Sequence, residues 1–228
     1  VLIVYFALIS TKKAEQNKVW VGLSKETAHQ LGTPISSLMA WMDLLESSGV
    51  DPSLLSDMNK DVNRLSVIAE RFSKIGSKPE MELIYVNEVL ENATEYMRRR
   101  VSDKVLITTH LPSDAEGAMV CLSLFEWVIE NLCKNAVDAM NGEGRIDVYM
   151  TSEKQQIYID IKDTGKGIAR KNFKTVFNPG YTTKKRGWGL GLTLAKRIIE
   201  DYHAGRIYVK DSEVGKGTTF RIELKRVV

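Results

Sequence analysis

LSLFEWVIENLCKNAVDAM, residues 122–140, is the stretch on which the fold turns. Trp127, Val128, Leu132 and Val137 make it an apolar helix, yet Asn131, Asn135 and Asp138 stand at i, i+4 and i+7 on one face, with Lys134 beside them. Two amides and a carboxylate in such a helix need partners, because a buried polar group left unpaired is costly. One answer is a polar helix edge. The other is a ligand, since an amide carbonyl can hold Mg²⁺ while the metal bridges phosphate oxygens.

On the N-terminal side of this helix, 82–86 reads as a strand, 87–100 as a helix and 105–111 as a strand. On its C-terminal side, 145–150 and 156–162 read as a strand pair, followed by a glycine-rich, weakly periodic stretch over 163–187. A helix over 190–202 and strands at 206–211 and 218–224 close the chain. Strands and helices mixed in this way predict a two-layer α/β sandwich.

Further upstream the pattern becomes purely helical. Leu31, Ile35, Leu38, Met42 and Leu45 follow the spacing of a bundle seam, as do Leu55, Met58, Val62, Leu65, Ala69 and Phe72. A turn over 49–53, Gly-Val-Asp-Pro-Ser, joins the two runs into an antiparallel hairpin. One hairpin buries both seams poorly, so two are expected to pair as a dimeric four-helix bundle. The composition shifts at Gly76-Ser77-Lys78-Pro79. The expected organisation is therefore multidomain, α and α/β, with the hairpin at 11–77 and the sandwich at 78–228. Residues 1–9, VLIVYFALI, form an uncharged run closed by Lys12 and Lys13. Too short to span a bilayer, which needs about 20 residues, this run reads as the inner end of a transmembrane helix (1–10) under the positive-inside rule.

Composition narrows the partners. Of the 228 residues 27% are charged, and the formal net charge is only +3 with both signs mixed along the chain. That pattern excludes a dedicated nucleic-acid binder, which would concentrate a basic stripe. The two cysteines, Cys121 and Cys133, lie in one apolar helical pattern and read as buried reduced thiols.

His29 stands about 200° from Leu31 and about 180° from Leu38 around its helix, so it faces water. An exposed imidazole with a near-neutral pKa offers a ring nitrogen as a nucleophile; alone, it could equally be inert. Downstream, Asp163-Thr164-Gly165-Lys166-Gly167-Ile168 leaves a strand into a Gly-x-Gly turn, where a carboxylate can accept from an exocyclic amine such as that of adenine. Gly187-Trp188-Gly189-Leu190-Gly191-Leu192 opens a helix, and the free N–H groups of a glycine-rich helix start suit an anion. It is neither a Walker A loop nor a dinucleotide fingerprint, and Gly215-Lys216-Gly217-Thr218 also fails as a P-loop.

The order of these motifs is more specific than any one of them. His29-Gln30-Leu31-Gly32-Thr33-Pro34 resembles the phosphoacceptor box of sensor histidine kinases. The Asn131/Asn135 helix, the Asp163 turn, Phe177 with Thr182-Thr183-Lys184, the Gly187–Gly191 helix start and Gly215-Lys216-Gly217-Thr218 resemble, in sequence order, the ATP-binding domain of the same family. That domain belongs to the wider gyrase, chaperone and histidine-kinase superfamily. The resemblance covers roughly 12–224.

The resemblance implies ATP and Mg²⁺ as cofactors, with the terminal phosphate moved to His29 and then to an aspartate of a response-regulator receiver on a separate chain. It implies that Thr33 helps to position a water for phosphatase chemistry. The residue after the histidine is usually Glu or Asp in that family; here Gln30 can accept a hydrogen bond but brings no charge. Asn135 would ligate Mg²⁺, Asn131 would line the phosphates with Lys134 and Asp138 beside them, and Asp163 would read adenine. Gly165, Gly167 and Ile168 would shape the pocket wall, Phe177 would anchor a lid over 169–186, and Thr218 would lie near adenine. Gly187, Gly189 and Gly191, with Leu190 and Leu192, would form the phosphate loop. Thr183 and Lys184 lie on the lid, Lys184 being a γ-phosphate contact or part of a solvated basic loop. A homodimer through the hairpin and a place on the cytoplasmic face of the bacterial inner membrane follow by the same resemblance. Alternatives are a degenerate kinase serving as scaffold or phosphatase, and an ATP-driven conformational switch. His203 reads as structural, with Gly205 as the expected helix C-cap.

Overall fold

The computed structural model describes residues 2–75, 79–184 and 189–227, with side chains from Glu26 onward except at 71 and 72. The expected membrane-helix end falls on side chains outside the described residues. Among the described residues no helix is long and apolar enough to cross a membrane. The chain divides into two compact units, Val1–Pro79 and Glu80–Val228.

The first unit is a hairpin of two helices, α1 (Leu2–Ser47) and α2 (Pro52–Ile75). Gly49 reverses the chain with φ +78°, a left-handed conformation that suits glycine. Asp51 then accepts a hydrogen bond from the Ser53 N–H at 2.9 Å, capping the start of α2. Helix α1 runs on through Pro34, although the proline ring removes the N–H that would serve the Gln30 carbonyl. Ile35, Met42, Val62 and Ala69 form the buried seam, with Leu31 packed beside them. The sequence periodicity places Leu38, Met58 and Leu65 in that seam too, but they are 40%, 45% and 42% exposed. Two facing helices bury only the positions pointing directly at each other, so the remainder of a heptad seam stays open.

The second unit is the two-layer α/β sandwich. In chain order it contains β1 (Glu82–Tyr85), α3 (Val86–Arg98), β2 (Val105–His110), β3 (Gly117–Val120), α4 (Leu122–Ala139), β4 (Gly144–Glu153), β5 (Gln156–Asp163), α5 (Gly191–Arg197), β6 (Arg206–Glu213) and β7 (Gly217–Lys225). Five strands make one sheet in the order β2-β4-β5-β7-β6, with β2 and β4 parallel and the other neighbours antiparallel. β1 and β3 form a separate antiparallel pair, bridged to the C-terminal end by Ala118 and Arg226.

Alternation along the strands selects the buried face. Ile146 and Val148, then Ile157, Ile159 and Ile161, then Ile222 and Leu224, are buried against the helical layer. α4 returns Leu124, Phe125, Val128, Ile129, Leu132 and Cys133 to the same core. Each such Ile, Leu or Phe stabilises the fold by about 1.5–3 kcal/mol. The burial holds the opposite, polar edge of α4 in a fixed place.

The expected helix over 190–202 is shorter than its pattern: α5 ends at Arg197 and the chain widens into one π turn, Ile198–Tyr202. The left-handed residue that ends it is Ala204, φ +49°, rather than Gly205. Gly205 is required for a different reason, because a Cβ there would come within 2.3 Å of the Glu223 carbonyl oxygen. His203 is buried, accepting the Cys121 N–H on Nε2 at 3.0 Å and donating from Nδ1 to the Ile198 carbonyl at 2.7 Å. It ties the π turn to the start of α4, and burial pushes its pKa below the ordinary imidazole range.

Candidate functional site

The polar edge of α4 and the turn after β5 come together in the second unit. Asp163, the last residue of β5, is buried. Its Oδ1 accepts the Gly165 N–H at 2.8 Å and the Thr218 N–H at 3.3 Å. Burial pushes the carboxyl above the ordinary range, against the downward pull of those two donors. Oδ2 takes no hydrogen bond among the described residues.

The wall around Asp163 is built by backbone and one serine. The Lys166 N–H donates to the Ala139 carbonyl at 3.0 Å, fastening the turn to the end of α4. Gly167 takes φ +71°, where a Cβ would collide with the Glu213 carbonyl at 2.1 Å. The Ser212 hydroxyl accepts the Ile168 N–H at 2.7 Å, donates to the Gly217 carbonyl at 2.8 Å and lies 3.0 Å from the Thr218 hydroxyl. Ser212 carries no sequence signal. It sits in a strand, and only the β6–β7 register (Ser212 opposite Thr218) brings it here.

Along α4, Asn131 and Asn135 each bury an Nδ2 with no hydrogen-bond partner. Orphaned buried amides of this kind mark where an absent acceptor belongs. Asn131 touches the start of α5: a Cβ on Gly191 would lie 2.5 Å from Asn131 Oδ1. The Asn135 Oδ1 accepts from Lys184 Nζ at 2.9 Å, and Asp138 Oδ2 lies 2.5 Å from the same ammonium. Lys134 is exposed on the flank of this edge.

The lid region is tied down at several points. Lys166 Nζ donates to the Thr183 hydroxyl at 2.8 Å. Phe177 is buried edge-on to Phe220, with ring centroids 6.2 Å apart, and its carbonyl accepts from Thr193 of α5 at 3.0 Å. The Gly189 carbonyl accepts the Gly180 N–H at 3.1 Å, Leu190 caps α5 and Leu192 is half-buried in its first turn. Gly187 lies outside the described residues. Short contacts therefore link Asn131 to Gly191, Asn135 and Asp138 to Lys184, Thr183 to Lys166, and Asp163 to Gly165 and Thr218.

The donor set suits a hard cation of few protein ligands. No group of three or more His, Cys, Asp or Glu converges among the described residues, so there is no protein cage. Asn135 Oδ1 and Asp138 Oδ2 already share one positive charge, that of Lys184. Mg²⁺ commonly takes one or two protein oxygens and completes its shell with water and phosphate.

In the first unit His29, Gln30 and Thr33 are all exposed on α1. The Gln30 amide donates to Glu26 Oε1 at 2.7 Å, one turn earlier. The Thr33 hydroxyl lies 3.5 Å from the His29 carbonyl oxygen, at the limit of a hydrogen bond.

Residues 122–228 match the family described as "Histidine kinase-, DNA gyrase B-, and HSP90-like ATPase". Over 220 residues the chain is 26% identical to sporulation kinase A of Bacillus subtilis (strain 168), covering 94% of this chain and 36% of that protein. It spans between 29% and 50% of the length of the first curated relatives it matches. Among solved structures, full-length ShkA in complex with AMPPNP superposes with TM-score 0.70 at 19% identity, covering 91% of this chain and 46% of ShkA. Histidine kinase ThkA in complex with response regulator protein TrrA superposes with TM-score 0.62 at 19% identity, covering 100% and 68%. At that identity both likenesses bear on the fold. With these matches added to the α4 edge, the Asp163 turn and the Gly191 helix start, residues 122–228 are similar to the histidine kinase-, DNA gyrase B- and HSP90-like ATPases, and the chain is similar over nearly its whole length to sporulation and sensor histidine kinases.

Proposed function

We propose that this chain binds ATP with Mg²⁺ in the second unit and transfers the terminal phosphate to His29, which then passes it to an aspartate of a response-regulator receiver. The observation that carries the nucleotide part is the Asp163 carboxylate, fixed by two backbone N–H groups with Oδ2 unbonded. A buried acceptor of that kind suits the exocyclic amine of adenine, with Gly165, Gly167, Ile168 and Thr218 as its wall. Asn131, Lys134, Asn135 and Asp138 supply the polar edge for the phosphates, and Asn135 is the ligand for Mg²⁺. That ion would offset phosphate charge when bound. The protein's own work is placement: the α5 start with Gly189, Leu190, Gly191 and Leu192 offers N–H groups to the phosphates, Gly187 joins the same loop by the sequence resemblance alone, and Phe177, Thr183 and Lys184 bring the lid.

His29 supplies the remote ring nitrogen as nucleophile, free of packing on an exposed helix face. Thr33 stands one turn on, where its hydroxyl can orient a water for regulator dephosphorylation. A homodimer through the hairpin is supported by Leu38, Met58 and Leu65, seam residues 40%, 45% and 42% exposed in one chain. A homodimer at the cytoplasmic face of a membrane, reached through residues 1–10, completes the reading. ThkA, seen in complex with the response regulator TrrA, is a fold relative in which that kind of partner is present.

The test is label from γ-labelled ATP. Acid-labile, base-stable label in the wild-type chain that disappears in His29→Ala is the expected result. Label persisting in His29→Ala overturns the acceptor, and ATP binding with no label in the wild type favours a scaffold or phosphatase.

A further inference from the structure

We propose that Glu26, rather than Gln30, takes the imidazole proton of His29, and that Gln30 is the positioning residue that holds Glu26 for this role. The inference rests on His29 being the phosphoacceptor.

A phosphoacceptor histidine must lose a proton. The remote ring nitrogen attacks phosphorus, its N–P bond forms as the bond from phosphorus to the β,γ-bridging oxygen breaks, and ADP leaves with that electron pair. The proton on the other ring nitrogen must then go to a base, or the ring stays charged. A Gln amide cannot take it: it has no basic site at neutral pH. In this structure its NH₂ group is moreover committed elsewhere, donating to Glu26 Oε1 at 2.7 Å.

Helix geometry places the carboxylate on the correct side. Residues i and i+3 are surface neighbours, with Cβ atoms about 5–6 Å apart, whereas i and i+1 do not face each other. Side chains on an α-helix lean toward its N-terminus. The i,i+3 spacing therefore makes Glu26 a surface neighbour of His29, within reach of a side-chain rotation. Glu26, His29 and Gln30 are all exposed on α1. The hydrogen bond from Gln30 occupies Oε1 and leaves Oε2 as proton acceptor. A neutral donor at 30 and an acid at 26 form one device: the amide orients the base without competing for the proton.

The experiment uses the whole chain. Glu26→Gln keeps the side chain's shape and can still bond the Gln30 amide, so folding is preserved and only the base is lost. The initial rate of His29 labelling at saturating ATP is expected to fall about 100-fold, with ATP affinity unchanged. Glu26→Ala is expected to recover rate when sodium acetate or formate is added, while the wild type gains nothing. Wild-type labelling at His29 with an undiminished rate in Glu26→Gln, or a defect in Glu26→Ala that no carboxylate relieves, overturns the role of Glu26 and leaves the acceptor standing. Absence of label at His29 in the wild type overturns both.

Discussion

Lys184 Nζ sits 2.9 Å from Asn135 Oδ1, the oxygen that Mg²⁺ would use, and is shared with Asp138. A lysine ammonium and a divalent cation cannot both occupy that oxygen. The ion pair with Asp138 is about 40% exposed on both sides, so it contributes under about 1 kcal/mol and can be displaced. Lys184→Ala is expected to lower by a few fold the Mg²⁺ concentration needed for half-maximal ATP binding, with little change in melting temperature. Titration of a fluorescent ATP analogue at stepped Mg²⁺ checks this, and an unchanged Mg²⁺ requirement counts against competition at Asn135.

Asp163 opposes binding to stability. Because burial raises its folded-state pKa above the unfolded value, the ionised carboxylate costs stability at pH values above that folded-state pKa. Asp163→Asn keeps an oxygen for the Gly165 and Thr218 N–H groups but replaces the charged acceptor. It is expected to weaken ATP binding about 10- to 100-fold, the size of one hydrogen bond to a charged group, and to leave the melting temperature at pH 7 equal or higher. Calorimetric titration and thermal melts read the two quantities separately.

Gly191 has no room for a methyl group. Its added Cβ would lie 2.5 Å from Asn131 Oδ1, the end of a short side chain whose Nδ2 is buried. Gly191→Ala must push Asn131 aside or unseat the first turn of α5, at a cost of about 1–3 kcal/mol. ATP affinity is expected to fall by more than tenfold while far-ultraviolet circular dichroism stays that of the wild type.

His203 makes the second unit sensitive to acid. Its folded pKa lies below the ordinary imidazole value of 6.5, so between the two values the unfolded chain holds a proton that the folded chain does not. Stability therefore falls as pH drops below 6.5. Melting temperature measured from pH 7.5 to 5.5 is expected to decline less steeply in His203→Gln than in the wild type, and equal slopes in the two proteins contradict this assignment.

The parts of the fold legible in the sequence are those set by local periodicity. α4, with its apolar face and three polar residues in register, stands at Leu122–Ala139 as its pattern reads, and β4, β5 and β7 follow their alternation. β3, Gly117–Val120, is four residues with no alternation, and it exists because β1 lies alongside. The openness of Leu38, Met58 and Leu65 was hidden because heptad spacing marks apolar positions without saying which partner covers them. Ser212 and the Glu26–Gln30 pair were missed for opposite reasons: one depends on a pairing between strands, the other is a spacing common on any helix. Pairing at long range also explains the buried Glu116, which accepts from the Ser152 hydroxyl at 2.7 Å and pairs with Arg226 at 2.5 Å.

Mass spectrometry of the full chain after incubation with ATP and Mg²⁺, with peptides handled at alkaline pH to preserve phosphoramidates, asks the central question directly. Phosphate on the peptide containing His29, localised to that residue and absent from His29→Ala, is the expected result. Phosphate on another residue, or none on a chain that demonstrably binds ATP, contradicts the account.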